Sequence, residues 1–163
     1  MQQRYPITPA GHKKLKKELK QIMEVDRPEN VRDIEEARSH GDLSENAEYS
    51  AAKERQAYLD ARRKELETKI ALAEVIDPTT LKEDKVVFGA TITLYDVDTE
   101  EEITYTIVGE DESDAKKGRI SLKSPMARAL IGSRVDDNVK VKTPKGLREY
   151  EIMDIKFMPV TLD

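Results

Sequence analysis

The chain has 163 residues, of which 37% are charged and only 5% aromatic, with no Trp and no Cys. That composition excludes a single thick globular core, a disulfide framework and a thiolate metal site, and it fits long solvated helices. The net charge of −5 disfavours nonspecific capture of nucleic acid through a whole-protein field. The segment from Met1 to Pro6 lacks the apolar core of a signal peptide, and no stretch approaches membrane-spanning length. The expectation is a cytoplasmic protein with no membrane partner.

The first element is predicted from Thr8-Pro9, an N-cap followed by proline at the first helical position. Leu15, Leu19 and Ile22 recur at spacings of four and three, the seam of a coiled coil. The seam resumes as Val31, Ile34 and Arg38 in a different phase, and Pro28 lies in the gap, where proline kinks a helix. The reading is one long bent helix ending at His40-Gly41, with Gly41 as a left-handed cap. A second helix carries Ala52, Gln56, Leu59, Arg63, Leu66, Ile70 and Ala73 at the same alternation and is expected to end at Ile76-Asp77-Pro78. Arms of about 30 residues are roughly 45 Å long at 1.5 Å per residue. The connection is far too short for parallel arms, so they fold back antiparallel. Alanines and Gln56 occupy the seam near the turn, which leaves the turn little to gain by self-association, and a monomer is expected.

From about Lys85 the period changes to two. Strands are predicted at 86–95, with a kink at Gly89, and at 103–109 and 119–122. Ser124-Pro125 opens a short helix closed by Gly132, and Pro144-Lys145-Gly146 separates a final hairpin, 139–143 and 150–155. The predicted class is α+β: residues 1–77 form an antiparallel coiled-coil hairpin with an acidic tip, and residues 78–163 form a small antiparallel sheet with one helix. Residues 158–163 read as a loose tail.

The turn carries Gly41-Asp42-Leu43-Ser44-Glu45-Asn46-Ala47-Glu48-Tyr49. Asp-x-x-Glu is a capping-box pattern, in which Asp42 accepts a backbone N–H of the second helix and Glu45 reaches back. Two carboxylates so spaced at a helix start would lie on one side of it and be kept ionised by its dipole. His40 fits a last-turn residue better than a metal ligand, and Ser44 has no base at triad-like spacing. Lys53, Arg55, Arg62 and Arg63 follow the turn, with a facing that periodicity leaves open.

The run from Glu36 through Tyr49, followed by Ala51-Ala52-Lys53-Glu54, resembles the tip signature of the bacterial Gre transcript-cleavage (transcription elongation) factors, in its GreA-type form. The likeness extends through Arg27-Pro28, residues 86–91, Ile107-Val108-Gly109, residues 124–130 and residues 142–146, nearly the whole chain in order. It implies a C-terminal domain similar to FK506-binding proteins, docked at the rim of the RNA polymerase secondary channel through the region of Ser124, Pro125 and Arg128. It implies further that the coiled coil enters the channel toward the nascent RNA 3′ end. There Asp42 and Glu45 would assist the polymerase's own active site in cleaving backtracked RNA, the factor itself being no enzyme. Mg²⁺ is usually held by one or two carboxylates plus phosphates, and two-metal sites stabilise in-line displacement. The two acids would therefore share an Mg²⁺ with the polymerase and bind no cofactor alone. The alternative of the same shape is a channel-occupying inhibitor or regulator without cleavage stimulation. A client-cradling chaperone would need more apolar surface near the turn than Leu43 and Tyr49, and a stand-alone metallohydrolase would need more ligands.

Overall fold

The computed structural model describes residues 3–42 and 46–162. In chain order it contains β1 (Tyr5–Ile7), α1 (Pro9–Gln21), a π-helical turn (Ile22–Asp26), α2 (Arg27–Ser39) and α3 (Ala47–Leu72). There follow β2 (Ala73–Val75), β3 (Thr91–Asp96), β4 (Glu101–Val108), β5 (Arg119–Ser121), α4 (Pro125–Leu130), β6 (Asn138–Thr143) and β7 (Gly146–Lys156). The class is α+β. Among the described residues no helix is long and apolar enough to cross a membrane.

Two compact units divide the chain, Lys13–Leu72 in one and Met1–His12 with Ala73–Asp163 in the other. The boundary expected at 77/78 therefore falls earlier, and the first residues belong with the second unit. The cause is a strand pair that local periodicity does not reveal. Tyr5–Ile7 lies parallel to Ala73–Val75, Tyr5 opposite Ala73 and Ile7 opposite Val75, and the Ile76 N–H donates to the Ile7 carbonyl at 2.8 Å. An open strand edge beside the β-branched Val75 and Ile76 outcompetes further helix, so α3 stops at Leu72 rather than at Ile76.

In the helical unit, the N–H of Arg27 donates to the carbonyl of Ile22, five residues back. Proline has no N–H and its ring collides with the carbonyl four residues earlier. The widened turn just before Pro28 accommodates both defects, and it inserts one extra residue into the helical phase. Buried positions accordingly run Leu15, Ile22, then Asn30, Ile34 and Ala37. Val31 and Arg38, expected in the seam, point outward, Val31 being 50% exposed. On α3 the expected seam holds through Ala52, Leu59 and Leu66, all buried. Its end nearest the turn is built from small and polar groups: Ala37, Ala52 and Asn30, whose amide donates to the Ala52 carbonyl at 2.9 Å.

In the other unit five strands form one sheet, ordered β5-β4-β3-β7-β6. Its pairs are antiparallel except β4 with β5, which are parallel, a departure from the all-antiparallel expectation. Two 3₁₀ turns between β4 and β5, Glu110–Glu112 and Ala115–Lys117, carry the chain back to start β5 in the same direction. The strand expected over 86–95 is confined to Thr91–Asp96 because Gly89, at φ +89°, turns the chain and lets the Ala90 N–H bond the Val87 carbonyl at 3.1 Å. Val86, Ile92, Leu94, Ile107, Leu130 and Ile152 are fully buried in the core.

The N-terminal segment is held by a buried carboxylate. Glu112 accepts the Thr8 N–H at 3.2 Å, the Thr8 hydroxyl, and the Gly109 N–H at 2.8 Å. The path is so close that a Cβ on Gly11 would lie 2.3 Å from Glu112 Oε1. Thr8 in turn caps α1, its hydroxyl oxygen accepting the Gly11 N–H at 3.2 Å, as the sequence predicts. Beside it the Tyr5 hydroxyl bonds the Asp111 carboxylate, and burial together with that carboxylate pushes the phenol well above its usual range.

Candidate functional site

The acidic turn is bounded by two helix ends with satisfied backbone groups. At the end of α2 the Ser39 hydroxyl donates to the Glu36 carbonyl at 2.5 Å, the His40 N–H to the Ala37 carbonyl at 3.2 Å and the Gly41 N–H to the Arg38 carbonyl at 3.3 Å. Gly41 has φ +102°, the left-handed conformation expected of it. At the start of α3 the Tyr49 N–H donates to Asn46 Oδ1 at 3.1 Å and the Ser50 N–H to the Asn46 carbonyl at 3.1 Å. The N-cap of α3 is therefore Asn46.

This overturns the reading of Asp42 as the N-cap of α3. The helix begins at Ala47 and Asn46 caps it, so Asp42 is not its cap. Asparagine caps as well as aspartate, and its amide has a further use here, since Asn46 Nδ2 donates to the Ala37 carbonyl at 2.6 Å across the hairpin. Asp42 lies exposed on the connection between the two helices. Glu45 lies outside the described residues. The argument that the start of α3 keeps Asp42 ionised therefore does not apply, and the part of that reading that falls on Glu45 lies outside the described residues.

The surroundings of the turn are acidic. Asp33, Glu36 and Glu48 rim an open groove of about 460 Å³ with Ala37, Ala51, Ala52 and Arg55. His40 Nδ1 is 3.1 Å from a Glu48 oxygen, so the histidine has a carboxylate neighbour of its own. Among the described residues no group of three or more His, Cys, Asp or Glu side chains is arranged to hold a metal ion. One or two carboxylates on an exposed turn suit an ion shared with another macromolecule better than one the chain would bind alone.

The facing of the basic residues is clear in the structure. Arg62 grips Glu18 with two hydrogen bonds, 3.1 and 2.7 Å, and contacts Glu65 at 3.2 Å. The Glu18 bond, outweighing burial, raises the Arg62 pKa above the ordinary guanidinium value. Arg55 reaches Asp26 at 3.8 Å and Glu29 at 3.7 Å, Arg63 reaches Glu67 at 3.4 Å, and Lys53 bonds Gln56 at 2.7 Å. Arg55 and Arg62 thus tie the hairpin's two arms together, whereas Arg63 and Lys53 bond along α3 itself.

In the sheet unit, Ser124 Oγ accepts the Ala127 N–H at 3.2 Å, so Ser124 is the predicted N-cap with Pro125 at the first helical position. Ala127 and Leu130 are fully buried beneath α4, whereas Pro125 and Arg128 are exposed. One face of the helix covers the sheet and the other offers Arg128. Sequence reasoning missed Asn46 and Asn30. Both had a signal: Asn46 immediately precedes the first residues of strong helix propensity, and Asn30 stands four and seven residues before Ile34 and Ala37.

Residues 5–75 match the N-terminal family model of the transcription elongation factors GreA/GreB, and residues 81–157 match the C-terminal one. The chain is 58% identical to a protein of Syntrophotalea carbinolica called "Transcription elongation factor GreA" over 97% of this chain and all of that one. It is 54% identical to the protein of that name from Rickettsia prowazekii, covering 99% of this chain and 100% of that one. For the one from Neisseria meningitidis the identity is 53%, over 96% and 99%. The solved structure of GreA factor homolog 1 from Thermus thermophilus aligns at 27% identity over 94% of this chain and 99% of that one, with a TM-score of 0.44.

Proposed function

Because the chain belongs to the GreA/GreB family and is thus a transcription elongation factor, an accessory protein and not itself an enzyme, we propose that it works on RNA polymerase by presenting Asp42 and Glu45 to the polymerase's active site. In this reading it stimulates hydrolysis of backtracked RNA 3′ ends and so rescues arrested complexes. The observation that supports it is that Asn46 caps α3 while Asp42 lies exposed on the connection between the two helices.

Asp42 and Glu45 would together complete the coordination of an Mg²⁺ that the polymerase and RNA also hold. Such an ion, when bound, supplies an activated water and neutralises charge during in-line attack. The rest of the chain contributes delivery. The hairpin narrows to alanines near the turn, and Arg55 and Arg62 are engaged with the hairpin's own acids, so the RNA must be gripped by the polymerase. Docking belongs to the outer face of α4 at the rim of the secondary channel, with Arg128 making a charged contact and Ser124 and Pro125 setting the helix start. The sheet unit is similar, on this reading, to FK506-binding proteins.

The test adds purified protein to a stalled, backtracked elongation complex with Mg²⁺. Short 3′-terminal RNA fragments are expected, and none from free RNA without polymerase. Tight binding without fragments would replace this reading with a channel-occupying regulator, and efficient cleavage of free RNA would replace it with a nuclease.

A further inference from the structure

We infer that Asn46 is a positioning residue for the acidic turn, fixing both ends of the segment that carries Asp42 and Glu45 through one side-chain amide. The inference rests on the proposed cleavage role of those acids. Its basis is the pair of bonds that the amide makes. Asn46 Oδ1 accepts the Tyr49 N–H at 3.1 Å, and Nδ2 donates to the Ala37 carbonyl at 2.6 Å. The first bond satisfies an orphan donor at the positive end of α3, and the second gives the Ala37 carbonyl, which already accepts the His40 N–H at 3.2 Å, a second donor that comes from across the hairpin.

Capping alone does not need asparagine. Aspartate and serine cap about as well, but a carboxylate cannot donate, and a serine side chain is an atom too short to span from the cap to the opposite helix. Among the side chains that cap a helix well, only the asparagine amide both accepts and donates from one rigid plane. The remaining ties across this end of the hairpin are of a different kind. Asn30 donates to the Ala52 carbonyl at 2.9 Å farther down the arms, and His40 meets Glu48 at 3.1 Å on the exposed surface. Asn46 joins a carbonyl in the last turn of one helix to an N–H in the first turn of the next. The tie from Asn46 to the Ala37 carbonyl links the two described ends that flank Asp42. Misplacing a reacting group by about 1 Å can cost on the order of 100-fold in rate, which makes the geometry of these ends a matter of activity as much as of stability.

The experiment uses the full chain with Asn46→Asp and Asn46→Ser. Both keep a capping oxygen, both lose the donor to Ala37, and only the first adds charge. Thermal stability and helicity are measured alongside polymerase affinity and the maximal cleavage rate at saturating factor. The expected result is near-parent melting and Kd for both variants with at least a tenfold lower maximal rate. Raised Mg²⁺ should restore them less than it restores Asp42→Asn, because the ligands are present but misplaced. Parent-like maximal rates in both variants would overturn the inference. So would a loss that tracks weakened binding or lowered melting temperature, which would make Asn46 a structural cap and nothing more. If the parent itself binds polymerase but releases no RNA fragments, the proposed function fails first and this inference with it.

Discussion

Replacing Glu112 by alanine should loosen the N-terminal segment from the sheet unit. Glu112 is 3% exposed and its carboxylate satisfies the Thr8 N–H, the Thr8 hydroxyl and the Gly109 N–H. Each buried donor left unmet costs about 1–3 kcal/mol. Water entering the vacated space can recover one or two of the three, leaving a net loss of about 3 kcal/mol. Glu112→Gln keeps the shape and one acceptor oxygen but turns an NH₂ toward a donor, so about 1–2 kcal/mol is expected. Urea unfolding followed by a signal of the sheet unit reads the difference. With a slope near 2 kcal/mol/M, the alanine midpoint should fall by roughly 1.5 M and the glutamine midpoint by about half as much. An alanine variant within about 0.5 kcal/mol of the parent would refute the view that this carboxylate holds β1 and the start of α1 in place.

Asp42→Asn and Glu45→Gln should leave melting temperature, helicity and polymerase affinity near the parent while removing most cleavage stimulation, with partial rescue by raised Mg²⁺; variants that cleave like the parent would remove both acids from the mechanism. Arg128→Glu should weaken polymerase binding several-fold or more by reversing an exposed charge, without unfolding α4, whose buried side chains are Ala127 and Leu130; an unchanged Kd would place docking on another surface. Asp96 accepts the Asp98 N–H at 2.9 Å and the Thr99 N–H at 3.2 Å. Burial raises its pKa, but the bonds from Thr99 and Asp98 outweigh that and hold it below the ordinary 3.8. Its contribution to stability is therefore present above that value and lost as pH falls through the lower folded-state value, and Asp96→Ala should flatten the acid limb of a stability–pH curve.

Local chemistry made some of this structure legible in advance. Thr8-Pro9, Gly41 and Ser124-Pro125 announce helix ends through capping and proline, which act within a few residues, and each stands where expected. The seam of α3 was legible because its period is unbroken. On the first arm Pro28 was rightly marked as a disturbance, but a kink and a π turn leave the same trace in sequence. Only the π turn shifts the phase, which moved the seam from Val31 to Asn30. At the tip, two capping patterns overlapped, and Asp42-x-x-Glu45 masked the equally good asparagine four residues on. The pairing of β1 with β2 was beyond reach, because a three-residue parallel ladder between distant segments has no local period.

That ladder has a consequence for reach. The chain leaves the sheet unit after β1 and returns to it at β2, two strands held side by side by hydrogen bonds. The whole helical excursion is thus spliced in at a single closed seam. Seven residues added to each arm, in register, would extend the hairpin by about 10 Å at 1.5 Å per residue and leave the splice unaltered. Arm length can in this way change while the residues of the splice and of the sheet unit stay the same.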